Sequence, residues 1–183
     1  MTVQAGTCPE GEYFMPADMK EMIAETYARM IRQGDIDKIT VKALIEECHI
    51  SRQTFYYHFQ DIMDVLEWMM RQTTQELAEK SLQAEDMRSA LQIFVSFSAE
   101  HFPMLRKLMN SHRRAQIEHL LIDSASAYLN KIAQAQQHTI SVNYADLDVL
   151  LRYTACGLVG VLLSYCERSD LDQDRLTLQL EKI

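Results

Sequence analysis

A short run of polar side chains near the start of the chain has the chemistry needed to contact a DNA duplex. The run comprises Arg52, Gln53, Thr54, Tyr56, Tyr57 and His58. Arginine, glutamine and threonine exchange hydrogen bonds with base edges, and phenols suit phosphate oxygens. Phe55 and Phe59 lie among them at i and i+4, so a helix here has one apolar face and one polar face.

Two short helices joined by a tight turn are predicted to position this run. Thr40 precedes Val41, Leu44 and Ile45, which share one helical face, so its hydroxyl can cap the first helix. Ser51 can cap the second helix in the same way. Two capped helices of under three turns make a helix-turn-helix, and the second of them is the one that enters a major groove.

This stretch resembles the DNA-binding headpiece of the TetR/AcrR family of bacterial transcriptional regulators. The shared pattern is Thr-Val before the first helix and then Ile-Ser-x-x-Thr-Phe-Tyr-x-x-Phe, which matches residues 50–59. The resemblance covers the N-terminal third of the chain. Two residues depart from the family pattern: His49 replaces a glycine, and Ile62 replaces a frequent lysine that would lie near a phosphate. Glycine suits position 49 because the first helix of the family pattern ends in a left-handed conformation. Histidine adopts that conformation at a cost of about 1 kcal/mol.

The resemblance implies an all-α homodimer that binds a double-stranded operator. Each headpiece would place the helix from Ser51 to His58 in a major groove, with half-sites one or more turns of roughly 34–36 Å apart. Arg52, Gln53 and Thr54 would face base edges. The phosphates would be held by the amides in the first turn of the helix that Thr40 caps, together with Thr40, Tyr56, Tyr57 and Lys38. The expected DNA-binding residues are Lys38, Thr40, Val41, Ser51, Arg52, Gln53, Thr54, Tyr56, Tyr57 and His58.

Composition supports a helical protein whose DNA binding depends on a local face. Hydrophobic residues are 48% of the 183, and only 5 glycines and 3 prolines are present, which favours long helices. The formal net charge of −8 gives no bulk attraction for a polyanion. Residues 38–60, however, contain three cationic side chains and two acidic ones. A DNA contact must therefore come from this oriented surface.

The rest of the chain is predicted to be a series of helices. Residues 1–15 form a mobile arm, residues 16–60 form the headpiece, and residues 61–183 form a domain for effector binding and dimerisation. Pro103 is expected to stop a helix that starts at Met87, and a short helix over 104–110 then begins. Residues 138–142 are expected to form a loop. The remaining predicted helices cover 16–34, 61–80, 115–137 and 144–167, followed by a last helix capped by Ser169 or Asp170.

The C-terminal region is predicted to hold a ligand pocket and a dimer interface. The resemblance implies a small-molecule pocket within the bundle, for which the candidate residues are Trp68, Phe94, Phe97, His101, Met104, Met109, Tyr128 and Tyr153. Excess apolar surface on the last two helices suggests a four-helix interface between two chains. Its candidate residues are Gly157, Leu158, Val161, Leu162, Tyr165, Leu176 and Leu180. The alternative is that both helices only close the core of one protomer.

Several other classes of function find little support. No phosphate-binding loop, dinucleotide fingerprint or nucleophile elbow is present, so we expect no enzyme and no cofactor. The four cysteines lack the close spacing of metal ligands, so we expect no metal site. They also show no close pairing, so we expect reduced thiols in a cytoplasmic protein. We expect no membrane partner. The C-terminal region is loosely similar to regulators of dihydroxyacetone-kinase operons. Two kinds of effector therefore stay open, a small molecule and a partner protein. The effect on transcription also stays open between repression and activation. A rival class is a partner-binding helical protein whose headpiece no longer reads DNA.

Overall fold

The structure, a computed structural model, describes residues 16–135, 144–168 and 172–182, and all regular structure in these ranges is helical. The predicted all-α fold class is confirmed. The predicted arm over 1–15 and loop over 138–142 lie outside the described residues. The helices are α1 (Pro16–Gln33), a 3-10 turn (Ile36–Lys38), α2 (Val41–Glu47), α3 (Arg52–His58), α4 (Ile62–Leu82), α5 (Met87–Met109), α6 (Arg114–Ala135), α7 (Tyr144–Cys166) and α8 (Gln173–Leu180).

Side-chain caps fix both helices of the predicted helix-turn-helix. The Thr40 hydroxyl accepts from the Ala43 amide at 3.1 Å and begins α2. The Ser51 hydroxyl accepts from the Thr54 amide at 3.0 Å and begins α3. Each cap satisfies an amide that has no partner within its helix, which contributes about 1 kcal/mol. Both predicted caps are confirmed.

The turn between α2 and α3 depends on a left-handed residue. His49 has φ 54°, the one positive φ outside glycine in the described residues. The His49 amide donates to Glu46 and the Ile50 amide donates to Ile45, both at 3.2 Å. This pair of bonds is a Schellman ending, which normally uses glycine at the left-handed position. The turn therefore has the geometry of a glycine-terminated helix with a strained histidine in the glycine position.

Replacing His49 by glycine is expected to stabilise the protein by about 0.5–1 kcal/mol, because glycine adopts positive φ without strain. Urea unfolding measured by circular dichroism checks this. The neighbouring Cys48 has φ −77°, so Cys48→Gly is a matched control that should destabilise. A lower unfolding midpoint for His49→Gly would mean that the turn is not strained.

The buried side of α3 closes the headpiece core. Phe55 and Phe59 are 0% and 2% exposed, and their ring centroids are 6.1 Å apart. They pack with Tyr27 of α1 and Leu44 of α2, which are also fully buried. Burial raises the pKa of the Tyr27 phenol to about 12, so the phenol is neutral at physiological pH. Ile62 joins this core, so the position of the family lysine has an apolar packing role here.

α4 belongs to two hydrophobic cores. Its first half contributes Ile62, Val65 and Leu66 to the headpiece core, which also takes side chains from the end of α5 and the start of α6. Its second half contributes Leu77 and Ala78 to a separate cluster with α5, α6 and α8. The helix therefore connects the DNA-binding part to the bundle. The division of the chain at residue 60 stays a prediction.

The prediction that Pro103 ends a helix is wrong, since α5 runs from Met87 to Met109 with Pro103 inside it. Proline removes one helical hydrogen bond and costs about 3 kcal/mol in a helix interior. Pro103 itself is exposed, while Phe102, Leu108 and Met109 on either side of it are buried. Burial of both halves against the same bundle outweighs the local cost and keeps the helix continuous.

α6, α7 and α8 complete the bundle. α7 packs mainly on α6, and α8 packs on α5. The cap of α8 is Asp172, whose carboxylate accepts from the Arg175 amide at 2.9 Å. The predicted caps Ser169 and Asp170 lie outside the described residues, and the observed cap replaces them because α8 begins at Gln173.

Candidate DNA-binding face and core-domain cavity

The outer side of α3 presents the predicted polar residues to solvent. Arg52 and Gln53 are exposed in its first turn, and Tyr56 and Tyr57 are 50% and 79% exposed in its second. The α3 backbone cannot rotate to hide them, because Phe55 is locked in the core on the opposite side. An exposed phenol of this size on a short helix is available for a phosphate or base contact.

Thr54 is less available than the residues beside it. It is half-buried, and its hydroxyl lies 2.7 Å from the Ser51 hydroxyl. The two hydroxyls therefore form one small network with the α3 cap. A base contact by Thr54 would share a hydroxyl that already stabilises the start of the helix.

The predicted phosphate contacts before α3 surround the start of α2. Lys38 and Lys42 are exposed, and their ammonium groups lie 3.6 Å and 3.8 Å from the carboxylates of Asp35 and Glu46. Exposed pairs of this kind contribute about 0–1 kcal/mol, so a phosphate can replace the carboxylate at small cost. Val41 packs its side chain on the headpiece core, so only its backbone can serve DNA.

Lys20 is a cation of this surface that the sequence analysis missed. Its ammonium lies 5.3 Å from the centroid of the Phe59 ring, at the end of α3. Burial, together with the charge of Lys20, lowers the pKa of His58, so His58 is neutral at physiological pH. Lys20 is 38 positions before His58 in the chain, so neither motif nor spacing indicated that they meet.

Polar contacts tie the headpiece to the C-terminal end of α5. The Lys107 ammonium donates to the carbonyl oxygens of Arg32 and Gly34 at the end of α1. The Asp37 carboxylate accepts from the His112 amide at 3.1 Å and lies 2.6 Å from the His112 ring nitrogen Nδ1. Partial burial acts to raise the Asp37 pKa, but the bonds from His112 outweigh it and hold the pKa below its usual value.

The sign of this shift fixes its effect on stability. Asp37 has a lowered pKa in the folded protein, so it contributes stability above its usual pKa of 3.8. That contribution is lost as the pH falls through the lowered value. At neutral pH the Asp37 carboxylate is charged and the contact to His112 is present.

A cavity of about 360 Å³ lies within the bundle, between α1, α4, α5, α6 and α7. Five of the predicted pocket residues line it, namely Phe94, Phe97, His101, Met104 and Tyr128. Phe94 and Tyr128 stack with ring centroids 5.5 Å apart, and Phe97 stacks on His101 at 4.6 Å. Its volume is in the range of pockets that take small molecules. α1 contributes Ala28 and Arg32 to the wall, so a helix of the headpiece contacts the cavity directly.

Three predicted pocket residues lie outside the wall of this cavity. Trp68 faces the headpiece core, with its ring centroid 6.2 Å from that of Phe59. Met109 is buried in the same core. Tyr153 is 78% exposed on the outer side of α7. The missed wall residues include Met69 and Met70, which adjoin Trp68 in sequence and line the cavity as well as packing on the headpiece core.

The outer side of α7 is an exposed apolar face. Val149, Leu150 and Tyr153 are 68%, 50% and 78% exposed. Gly157 and Gly160 follow on the same side, and a Cβ atom added to either would meet no atom within 4 Å. Neither glycine is needed for packing inside one protomer. We call this surface the α7 outer face.

Most of the other predicted interface residues pack inside the protomer. Leu158, Val161, Leu162, Tyr165 and Leu180 are half-buried against the second core. Leu162 also lines the cavity. Leu176 is 2% exposed, so its assignment to an interface is wrong and its role is core packing. α7 is apolar on two sides, and the side that carries these residues turns inward.

One helix of the described residues, Asp146–Cys166, is long and apolar enough to cross a membrane by length and composition, and little of it is buried. Arg152 in this span pairs with Asp123 of α6 at 2.7 Å. Within the described ranges, no group of three or more histidine, cysteine or acidic side chains is placed to hold a metal ion. Cys48, Cys156 and Cys166 are free thiols, and burial raises the pKa of Cys48 and of Cys166.

The headpiece matches a known family. Residues 23–67 fit the family model described as bacterial regulatory proteins, tetR family. The chain is 20% identical over 144 residues to the HTH-type dhaKLM operon transcriptional activator DhaS of Lactococcus lactis subsp. lactis (strain IL1403). This match covers 78% of the chain and 76% of DhaS.

Solved structures share the fold over most of the chain. Lin0861 of Listeria innocua aligns with TM-score 0.72 at 16% identity, covering 96% of this chain and 93% of that one. The dihydroxyacetone kinase operon activator DhaS aligns with TM-score 0.63 at 19% identity, covering 90% and 92%. The TetR family repressor AlkX from Dietzia sp. strain DQ12-45-1b aligns with TM-score 0.62 at 15% identity, covering 88% and 92%. At these identities the likeness shows the fold alone.

Proposed function

We propose that this protein is a homodimeric repressor with an effector-controlled operator, since residues 23–67 match the model of bacterial regulatory proteins, tetR family. The matched family, DhaS and AlkX are named as regulators, which supports a DNA-binding regulator and no enzyme. The operator would be palindromic, since two identical headpieces read two half-sites. The protein would act in the cytoplasm, where that operator is found.

The observation that carries this proposal is the capped helix α3 with its polar side exposed. Ser51 fixes where the helix begins, and Phe55 fixes which side faces inward. Arg52 and Gln53 then face outward from the first turn, where a recognition helix contacts base edges. A purely structural hairpin has no need of this arrangement.

The remaining surface suits phosphate contacts around this helix. Tyr56 and Tyr57 extend from the second turn of α3, Lys38 and Lys42 flank α2, and Lys20 adjoins the end of α3. The cations and phenols therefore come from three elements around one polar helix. Such contacts fix the register on the duplex without reading its sequence.

The α7 outer face supports the homodimer. An exposed apolar surface on a helix is a protein-interaction or membrane site. Arg152 is held by Asp123 within this span, and two glycines provide a flat surface for a second helix to approach. We therefore propose that a second copy covers this face and places two headpieces on one operator. A membrane would instead meet the charged Arg152.

An effector would influence the headpiece from the cavity, through the contacts between α5 and α1. A ligand that binds one arrangement of α5 better than another shifts the equilibrium toward that arrangement. α5 lines the cavity, and Lys107 near its end donates to carbonyls of α1. A ligand in the cavity is therefore close to the helices that set headpiece spacing.

A second candidate function is activation controlled by a protein partner. It is favoured by the likeness to DhaS, which is named as an operon activator. The apolar cavity of about 360 Å³ favours a small molecule and thus the repressor. A further alternative is a partner-binding protein whose headpiece no longer reads DNA. Reporter expression from the operator with and without the protein separates repressor from activator.

Selection of bound duplexes from a randomised DNA pool tests DNA reading directly. The expected result is enrichment of a palindromic motif by the wild type and loss of that motif by Tyr56→Ala. Binding should weaken steeply as salt rises, because phosphate contacts release counterions. Absence of enrichment from folded protein would reject sequence-specific binding by the chain alone and favour the partner-binding alternative.

Replacing Arg52 by alanine is expected to weaken operator binding by about 1–3 kcal/mol and to relax one base position in each half-site. Arg52 is exposed at the start of α3, so the change should leave folding intact. Fluorescence anisotropy over a set of single-base operator variants measures both effects. Tyr56→Phe is the control, because loss of a phosphate contact should weaken all sequences alike. An unchanged profile for Arg52→Ala would exclude Arg52 as a base reader.

A further inference from the structure

We propose that the cavity binds a lipophilic monocarboxylate, with its apolar body within the bundle and its carboxylate at Arg32. This rests on the proposed function, in which the cavity holds the effector. It adds the chemical class of that effector. The wall chemistry, the charge at the wall and the position of Arg32 each support it.

The cavity wall is apolar even where its side chains are polar. Four of its five hydroxyl groups already donate hydrogen bonds inside the protein. Thr73, Thr74 and Ser98 donate to the backbone carbonyls four residues earlier at 2.7–2.9 Å, and Tyr128 donates to Ser81 at 3.0 Å. A polyol would give up its bonds to water and find few partners here. Sugars and small polyols are therefore poor ligands.

His101, like the wall hydroxyl groups, already uses a hydrogen-bonding atom inside the protein. Its Nδ1 atom lies 2.8 Å from the Phe97 carbonyl oxygen, so Nδ1 must carry the proton. In the neutral ring the other nitrogen, Nε2, is then an acceptor. The ring stacks on Phe97 and adds an aromatic surface to the wall. His101 thus orients an apolar ligand and offers it one acceptor at most.

The charge at the wall is positive. Its lining residues include no aspartate or glutamate, and Arg32 is the one with a permanent charge. A lipophilic cation would enter without a carboxylate to balance it, which is costly in an apolar site. A carboxylate, in contrast, can make two parallel hydrogen bonds to a guanidinium group.

Arg32 is placed where an anion would also affect the headpiece. It lies in the last turn of α1 and is exposed, so its side chain can rearrange on ligand binding. Its own carbonyl oxygen accepts from Lys107 of α5. A carboxylate at Arg32 would therefore act at the point where α1 and α5 are tied together.

Three ligands with the same chain and different end groups test the proposal. Titration calorimetry of the full chain would compare decanoate, decanol and decylamine, with glycerol as the polyol probe. Decanoate is expected to bind about tenfold more tightly than decanol, the value of one charge-assisted hydrogen bond, and decylamine and glycerol are expected not to bind. Tighter binding of decylamine, equal binding of decanol or binding of glycerol would overturn the proposal.

Matched variants locate the ligand. Arg32→Gln should weaken decanoate about tenfold and leave decanol unchanged. Arg88→Gln, at an exposed arginine of α5 outside the cavity, should change neither. Ala125→Phe should fill part of the cavity and weaken both ligands, with folding checked by circular dichroism. Unchanged decanoate binding in Arg32→Gln, or in folded Ala125→Phe, would show that decanoate binds elsewhere.

The two levels of the proposal fail separately. Operator selection without any ligand tests the DNA function alone. If the protein selects an operator but does not bind decanoate, the ligand class is wrong and the regulator stands. If it binds decanoate and selects no operator, the cavity assignment stands and the DNA function is wrong.

Discussion

Replacing Phe55 by alanine should unfold much of the headpiece and abolish operator binding. Phe55 is fully buried and contacts Tyr56 and Phe59 ring to ring, with centroids 5.4 Å and 6.1 Å away. Truncating a buried phenylalanine costs about 3–5 kcal/mol, and a domain of this size is stable by only about 5–15 kcal/mol. Urea unfolding by circular dichroism and operator binding by anisotropy measure the two losses.

The neighbouring position Tyr57 provides the control. Its side chain is 79% exposed on the same helix, so Tyr57→Ala should change stability by less than about 0.5 kcal/mol. It should nevertheless weaken DNA binding if the phenol contacts a phosphate. An unfolding midpoint for Phe55→Ala equal to that of Tyr57→Ala would show that Phe55 does not hold α3 in place.

Replacing Gly160 by glutamate should separate the proposed dimer while stabilising the protomer. The space beside Gly160 is open in one chain, and glutamate favours a helix interior over glycine by about 0.5–1 kcal/mol. Burying its charge against a second α7 should cost about 3 kcal/mol or more, which raises the dimer dissociation constant at least about a hundredfold. Operator affinity should fall because one headpiece cannot occupy two half-sites. Sedimentation velocity measures the dimer.

Two controls define this result. Gln92→Glu places the same charge on an exposed position of α5, away from the α7 outer face, and should leave the dimer intact. Cys156 is exposed on α7 next to Gly157, so mild oxidation should cross-link wild-type chains and fail in Gly160→Glu. A Gly160→Glu protein that stays dimeric would place the interface on another surface.

The headpiece could be predicted from sequence because its signals are local. Thr40 and Ser51 cap helices through amides three residues away, and the inward pair Phe55 and Phe59 is one helical turn apart. The left-handed residue was expected because His49 replaces the glycine of the resembled family's pattern, and its φ of 54° agrees. Each of these features depends on residues within a few positions of one another.

The structure of the bundle was harder to predict from sequence, because it depends on how distant side chains pack together. Pro103 is a local stop signal, yet burial of Phe102 and Leu108 on either side keeps α5 continuous. Trp68 and Met69 are adjacent on α4 and both pack on the headpiece core, yet only Met69 also lines the cavity, so apolar character alone cannot separate a cavity wall from a core. Lys20 meets Phe59 only through the fold.

The proposed dimer interface was hard to predict from sequence for the same reason. Gly157 was predicted on it and lies on the α7 outer face, while Leu176 was also predicted and is buried in the protomer. α7 has apolar side chains almost all round, and a helix of that kind does not reveal from its sequence which side faces its own chain. The contacts of α6 decide that orientation.

Sharing of residues between cavity and headpiece limits how this protein can evolve. Leu66 and Leu108 line the cavity and also belong to the headpiece core. Ala28 lines the cavity and is next in sequence to Tyr27, a residue of that core on α1. A mutation that reshapes the pocket for a new signal at these positions also disturbs the DNA-reading unit. New specificities should therefore arise first on α6 and α7, at Ser124, Ala125 or Val159, which line the cavity outside the headpiece core. Changes on α1 and α4 should often appear as loss of regulation in the absence of any ligand.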